Sequence, residues 1–307
     1  MSGRRVLVTG GAGLIGSRLA AALVDDGHDV VAVDDLSAGD ADRVPAGATL
    51  VEADVRDAGS LAAVLDGSID RVYHLAADSD VDTDDRRGQV EANTAMTYNV
   101  LERAAAVGVD ELAFTSSSTV YGEAPMPTPE DYAPLEPISE YGAAKLAEEA
   151  LVSTYAHSYG VTARTFRFAN VVGPGQRGNV IADFVEKLRA DPGRLEILGD
   201  GRQEKSYMYV DDCVAAMRHV LDAAAAPLVT VNLGSRTTTS VRRVADIVSD
   251  VLGVDPAHEF TGGDRGWTGD VPRMRLSVER LAGMGFEPPG SSDAAVRRAT
   301  EALADEI

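Results

Sequence analysis

Short unbroken apolar runs alternate along this chain with longer stretches whose apolar residues fall three or four apart. The runs predict buried strands, and the spaced stretches predict helices with one apolar face. The chain therefore opens with a strand over 4–9, a helix over 14–26, and strands over 29–33 and 48–52. A helix over 58–66, a strand over 71–75, a helix over 89–107 and a strand over 111–115 follow, then a helix over 140–159 and a strand over 162–168. This rhythm predicts an α/β fold on a doubly wound parallel sheet. Past about residue 170 it loosens: Gly173-Pro174-Gly175 interrupts it, a helix over 178–190 and a strand over 194–198 follow, and Gly199-Asp200-Gly201 marks a turn. A second loose stretch runs from Gly262 to Pro272, and no internal repeat or low-complexity tract is present.

The junction between the first strand and the first helix carries Gly10-Gly11-Ala12-Gly13-Leu14-Ile15-Gly16. Gly11, Gly13 and Gly16 fit G-x-G-x-x-G, while Gly10, Gly13 and Gly16 keep a three-residue spacing. Strand, glycine turn and helix together are the setting of a dinucleotide fingerprint: the glycines let the backbone approach a pyrophosphate, and the helix opening at Leu14 and Ile15 offers unpaired N–H groups. The second strand ends at Asp34-Asp35, about 20 residues on, where a carboxylate can bind the adenine-ribose hydroxyls and repels a 2′-phosphate. No Arg or Lys follows until Arg43, so NAD is expected over NADP. The expected division is a Rossmann NAD-binding domain over 1–172 with about 206–234, and a smaller C-terminal α/β substrate-binding lobe over 173–205 and 235–307.

Composition bounds the function. The 307 residues are 45% hydrophobic, enough for a substantial core. No run reaches the eighteen apolar residues of a membrane span, and the early first strand leaves no room for a signal peptide, so a cytoplasmic location without a membrane partner is expected. The single cysteine, Cys213, rules out an intramolecular disulfide and a multi-cysteine metal site, and no metal is expected. A net charge of −21 makes nucleic acid an unsuitable partner. Of the basic residues only Lys145, Lys187 and Lys205 are lysines. Such acidity with so little lysine resembles proteins of salt-accumulating halophiles, and it marks each retained lysine as worth attention.

Phe114-Thr115-Ser116-Ser117-Ser118-Thr119-Val120-Tyr121-Gly122 places hydroxyls directly after the strand over 111–115, and Tyr141 and Lys145 lie four apart on the next helix. Residues at that spacing share a helical face. A free phenol ionises at about pH 10, and a neighbouring ammonium lowers that value. Oxidation of an alcohol needs a base for the hydroxyl proton. Tyr141 is expected to be that base, with Lys145 tuning it and binding the nicotinamide ribose, while a serine hydroxyl orients the substrate oxygen and relays the proton. Alone, Tyr-x-x-x-Lys also arises on exposed helices, and serine runs also bond their own backbone. Their order after a dinucleotide fingerprint favours the joint catalytic reading.

Further stretches join these: Thr9 to Ser17, Val33-Asp34-Asp35-Leu36, Ala53-Asp54-Val55-Arg56-Asp57, His74-Leu75-Ala76-Ala77, Arg167 to Pro174 and Tyr209-Val210-Asp211-Asp212. Over essentially its whole length the chain resembles an extended short-chain dehydrogenase/reductase of the NAD-dependent nucleotide-sugar epimerase/dehydratase family, nearest to the 4-epimerases of UDP-glucose and UDP-galactose. The resemblance implies a triad of Ser117, Tyr141 and Lys145. It implies that Asp34, with Asp35 and Leu36 beside it, holds the adenine ribose, that Asp54 and Val55 hold the adenine, that Leu75, Ala76 and Ala77 line the cofactor path, and that Asn93 sits near the pyrophosphate. Ser118 falls beside the triad at the substrate. By the same resemblance Asn170, Asn179 and Val180 meet the nucleotide-sugar phosphates, the strand Glu196-Ile197-Leu198 flanks the uracil, Arg265 and Asp270 bind diphosphate and ribose, and Lys205 takes a diphosphate-binding position. It also implies a homodimer formed through the helices over 89–107 and 140–159.

Within this family the implied reaction is reversible 4-epimerisation of a UDP-hexose through a transient 4-keto sugar, with hydride passing to tightly held NAD and back. Dehydratases of the group resemble Thr-Asp-Glu-Val-Tyr-Gly, and here Ser118 and Thr119 replace the two acids. Another nucleotide-sugar dehydrogenase, reductase, decarboxylase or dehydratase is the alternative, and a non-catalytic NAD sensor is a more distant one. Three departures stand out: Lys205 where an Arg is usual, Met96 for a helix glycine, and the added loop Gly266-Trp267-Thr268-Gly269.

Overall fold

A computed structural model describes residues 3–80, 83–266 and 269–306. In chain order its elements begin β1 Arg5–Thr9, α1 Leu14–Asp25, β2 Asp29–Asp34, β3 Ala48–Glu52, α2 Ala58–Val64, β4 Arg71–His74, α3 Arg86–Val107, β5 Glu111–Ser117, α4 Glu140–Ser158 and β6 Thr162–Phe168. They continue β7 Asn170–Val172, α5 Val180–Ala190, β8 Arg194–Ile197, β9 Glu204–Lys205, β10 Tyr207–Tyr209, α6 Val210–Ala223 and β11 Leu228–Leu233. The last are β12 Thr239–Ser240, α7 Val241–Leu252, β13 Ala257–Phe260, β14 Arg273–Met274, α8 Glu279–Gly283 and α9 Ser292–Glu306. Several expected boundaries move by one to three residues, and two of them have a visible local cause. Helix α3 starts three residues early because Asp85 caps it, its Oδ1 accepting from the Gly88 amide at 2.9 Å. Strand β5 runs on to Ser117, so Ser116 and Ser117 end the strand rather than follow it.

The chain forms two compact units. The first comprises residues 1–120, 140–167 and 217–231. It is built on a seven-stranded parallel sheet in the order β3-β2-β1-β4-β5-β6-β11. The order reverses between β1 and β4, which pair in parallel as Val6 with Arg71 through Thr9 with His74. Ligands of such sheets bind beyond the carboxyl ends of the strands at this reversal. Leu7, Val33, Val72, Leu112 and Phe114 of the strands are buried with Val100, Leu101 and Ala104 of α3 and Val152 of α4. Each of the Leu, Val and Phe side chains contributes about 1.5–3 kcal/mol by leaving water. At the other end of the strands, Glu111 accepts from Arg71 at 2.7 Å and from Arg164 at 3.0 Å, tying β4, β5 and β6 together.

The second unit comprises residues 121–139, 168–216 and 232–307. Helices α5, α7 and α9 pack on one another around small sheets: β10 with β7, β13 with β8, and β9 between β12 and β14. No helix among the described residues is long and apolar enough to cross a membrane.

Candidate active site

The glycine turn is built for close approach. Gly10 has φ of +68°, and a Cβ there would lie 2.8 Å from the Ala76 amide nitrogen. A Cβ on Gly16 would lie 2.0 Å from the Gly10 carbonyl oxygen, and one on Gly11 would lie 2.7 Å from the Ala32 side chain. Helix α1 starts after Gly13 with no side-chain cap and no acid in its first turn, so its amino end favours an anion. Asp34 is buried at the end of β2. Its two oxygens accept from the amides of Ala12 and Leu36, each at 2.9 Å, so the carboxylate also holds the turn in place. Leu36 adopts φ of +58°, the one such non-glycine residue among those described, and this strain lies beside Asp34. These features fit a dinucleotide.

Asp54 and Asp35 lie close to a guanidinium that chain order did not reveal. Arg56 Nη2 is 2.8 Å from Asp54 and 3.9 Å from Asp35. The hydrogen bond from Arg56 holds the Asp54 carboxyl below its usual range. Val55 is buried in the core, with its carbonyl accepting from Asn99. Leu75 and Ala76 follow β4, and both amides donate to Thr9 Oγ1 at 3.2 Å; Ala77 continues that half-buried loop. Asn93 departs from its expected role. It is wholly buried, its Nδ2 donates to the carbonyls of Asp78 and Gln89, and its Oδ1 accepts from the Asp78 amide. One donor hydrogen clamps the loop after β4 and the other bonds back to α3, leaving neither for a pyrophosphate.

Helix α4 places Tyr141 and Lys145 on one face. Lys145 is buried, with Nζ 5.8 Å from the centre of the Tyr141 ring and 5.0 Å from that of Phe114 on β5. Three residues beyond Phe114, Ser117 Oγ accepts from the Thr119 amide at 3.2 Å. Ser116 donates to Glu149 at 2.6 Å, and Arg167 grips the same carboxylate, so the end of β5 is anchored to α4. Ser118 is buried and opens a short turn, while Thr119 Oγ1 is buried without a partner.

The expected tuning of Tyr141 is corrected. Burial, with the Glu148 and Asp78 carboxylates, pushes the phenol above its ordinary value. Burial is the larger cause, and Glu148 adds to it: its Oε2 lies 3.2 Å from Lys145 Nζ and offsets the ammonium's charge. The same oxygen accepts from Thr97 Oγ1 at 2.6 Å, Thr97 contacts His74 Nε2 at 3.0 Å, and His74 Nδ1 contacts Thr9 Oγ1 at 2.7 Å. Because the Thr97 hydroxyl is donated to a carboxylate, His74 carries its proton on Nε2 and accepts on Nδ1 from Thr9. Burial, with the Lys145 ammonium nearby, depresses the His74 pKa to about 3, so the ring is neutral. Sequence reading missed this buried chain because its members are scattered over β1, β4, α3 and α4; the i, i+3 spacing of Lys145 and Glu148 was its one local sign.

The remaining candidates lie in the second unit. Asn179 caps α5, accepting from the amides of Ile181 and Ala182, each at 2.9 Å, just before Val180 opens the helix. The Nδ2 atoms of Asn179 and Asn170 are buried without partners, which suits donors awaiting an acceptor. Ile197 is a correction: its side chain is wholly buried, and the exposed apolar side chain of that segment is Leu198. Lys205 and Asp270, expected to act separately, form one ion pair between a half-buried lysine and a buried carboxylate. Arg265 donates to the Asp270 carbonyl at 2.6 Å and pairs with Glu123, a partner not anticipated. Trp267 and Thr268 of the added loop lie outside the described residues.

Residues 6–234 match the profile of the NAD dependent epimerase/dehydratase family. The chain is 34% identical over 299 residues to a UDP-glucose 4-epimerase of Mycolicibacterium smegmatis, covering 92% of this chain and 93% of that one. A crystal structure of a UDP-galactose 4-epimerase superposes with a TM-score of 0.91 at 41% identity over 99% of both chains. The Thermus thermophilus UDP-glucose 4-epimerase in complex with NAD superposes with a TM-score of 0.88 at 29% identity, covering 99% of this chain and 100% of the other. Relatives named for UDP-glucuronate, from Rhizobium meliloti, and for GDP-mannose, from Oryza sativa, also match.

Proposed function

The chain belongs to the NAD-dependent epimerase/dehydratase family, and from that premise we propose that it interconverts the C4 epimers of a UDP-hexose, UDP-glucose and UDP-galactose. The observation that carries this reading is the pairing of Tyr141 and Lys145 on one face of α4, with hydroxyls and no carboxylate over residues 116–119 at the end of β5. Elimination of water needs an acid and a base at that place, whereas epimerisation needs only a base that takes and returns one proton.

NAD, when bound, supplies a reversible hydride acceptor. Asp34 and the amino end of α1 hold it in this reading. Tyr141 takes the proton of the sugar hydroxyl, and Ser117 orients that oxygen. Lys145 supplies positive charge beside the phenol. The unpartnered amides of Asn170 and Asn179 support a phosphate-binding role, as does Lys205 once a ligand competes with Asp270. Leu198, exposed at the end of β8, replaces Ile197 as the apolar surface for a base.

The test is conversion of UDP-galactose to UDP-glucose without added NADH, with UDP-glucuronate, UDP-N-acetyl sugars and a thymidine-diphosphate sugar run in parallel. A product that consumes cofactor in equal amount would overturn the epimerase reading, and turnover of another sugar alone would reassign the substrate. Tyr141→Phe should lower kcat by at least about 10²–10⁴-fold, the contribution of a positioned base, while leaving NAD binding intact. Near-wild-type turnover would remove Tyr141 from the role of base.

A further inference from the structure

The buried environment of Lys145 holds a group that the reaction as described does not use. Tyr141, Lys145 and Glu148 stand at i, i+4 and i+7, two turns along one face of α4. Glu148 is wholly buried, and its Oε2 receives both Lys145 Nζ, at 3.2 Å, and the Thr97 hydroxyl, at 2.6 Å. Its Oε1 is equally buried and has no partner. Hydrogen bonds run in one direction from the amides of Leu75 and Ala76 through Thr9, His74 and Thr97, and end on this carboxylate.

We propose that Glu148 is a positioning residue for the redox step: its carboxylate holds the Lys145 ammonium and offsets its charge, so that the ionisation of Tyr141 is set by the Lys145–Glu148 pair and not by lysine alone. This rests on the reading of Tyr141 as the base. The charged groups facing Tyr141 are Lys145 and Glu148 from its own helix and Asp78 from the loop after β4. Facing the pair are neutral His74 from β4, the Thr97 hydroxyl from α3, the Phe114 ring from β5, and Glu149. Two negative groups thus oppose one positive group at the phenol. A carboxylate removed at this distance favours the phenolate. A buried lysine also needs a counter-ion simply to fold, and that bland role leaves the ionisation of Tyr141 where it is.

The pH dependence of kcat separates the two. In Glu148→Gln the acidic limb of kcat should move to lower pH by about one unit or more, with KM for UDP-galactose unchanged. The ultraviolet absorbance of the phenolate, taken as the difference between each protein and its Tyr141→Phe counterpart in the NAD-free chain, should move the same way. A limb and a phenolate transition that stay in place in folded Glu148→Gln protein overturn the proposal, as does an equal loss of kcat at every pH. Should Glu148→Gln fail to fold, Thr97→Val decides: it removes a donor that screens the Glu148 carboxylate and should move the limb the opposite way, to higher pH, by less, and an unmoved limb overturns the proposal. If the wild-type chain leaves UDP-galactose unchanged, the functional reading fails, and the phenolate titration still decides the role of Glu148.

Discussion

The Tyr141 phenol, the proposed base, is buried and feels two carboxylates, Glu148 and Asp78, with its neighbouring ammonium already paired. Spacing along α4 revealed the ammonium; the opposing charges came from a loop and from the next turn of the helix. His74 shows the same dependence on surroundings. Its ordinary value is 6.5 and its folded value is about 3, set by burial. Above pH 6.5 the ring is neutral in both states, and the folded state keeps its full stability. As pH falls from 6.5 toward 3, the unfolded chain takes up a proton that the folded chain refuses. Stability should therefore drop by about 1.4 kcal/mol per pH unit in that window from this residue. Denaturant melts at pH 7 and pH 5 should show the wild type losing more stability on acidification than His74→Gln; equal losses would mean that His74 titrates normally.

The elements of the first unit were legible because their periods are clean. Two of the boundaries that moved were set by local chemistry that periodicity does not register: the Asp85 cap that starts α3, and the hydrogen-bonded extension of β5 to Ser117. The glycine turn belongs to the same scale. Its motif fitted two registers, and the backbone settles which glycine makes the bend, since Gly10 alone of the set has a positive φ. Gly16→Ala should be costly because its Cβ would meet a backbone oxygen at 2.0 Å, with no flexible side chain to yield. Destabilisation of about 1–3 kcal/mol is expected from overpacking of this kind, with loss of retained NAD. Thermal denaturation and assay of cofactor released from denatured protein check both. An unchanged melting temperature would mean that α1 can slide away from the turn.

At the scale of the molecule, charge dominates. A net charge of −21 on 307 residues repels itself, and salt screens that repulsion over about 10 Å at 0.1 M. Several arginines sit in exposed pairs, as Arg236 does with Glu279 and Glu287, and such pairs contribute little singly. We therefore expect the melting temperature to rise from low to molar KCl; a fall would show that ion pairs outweigh the repulsion. Tyr98 on α3, 47% exposed, and Tyr159 just beyond the end of α4, 64% exposed, are joined through buried Tyr155 of α4. This apolar surface supports the proposal of a homodimer through these helices. Sedimentation should show a dimer that Tyr159→Glu weakens, and a monomer in the wild type would overturn it.

The order of elements, the glycine turn, the preference for NAD and the Tyr141–Lys145 pair could be read from the chain alone, because each rests on neighbours within a turn or on a repeating period. What required the tertiary structure was every effect of residues distant in sequence. Thr97 and the chain from Thr9 and His74 converging on Glu148, Arg56 arriving beside Asp35, Asn93 clamping the Asp78 loop and Lys205 closing on Asp270 are all of this kind. Burial and charge at a point are sums over everything packed around it, and that sum exists only once the chain has folded.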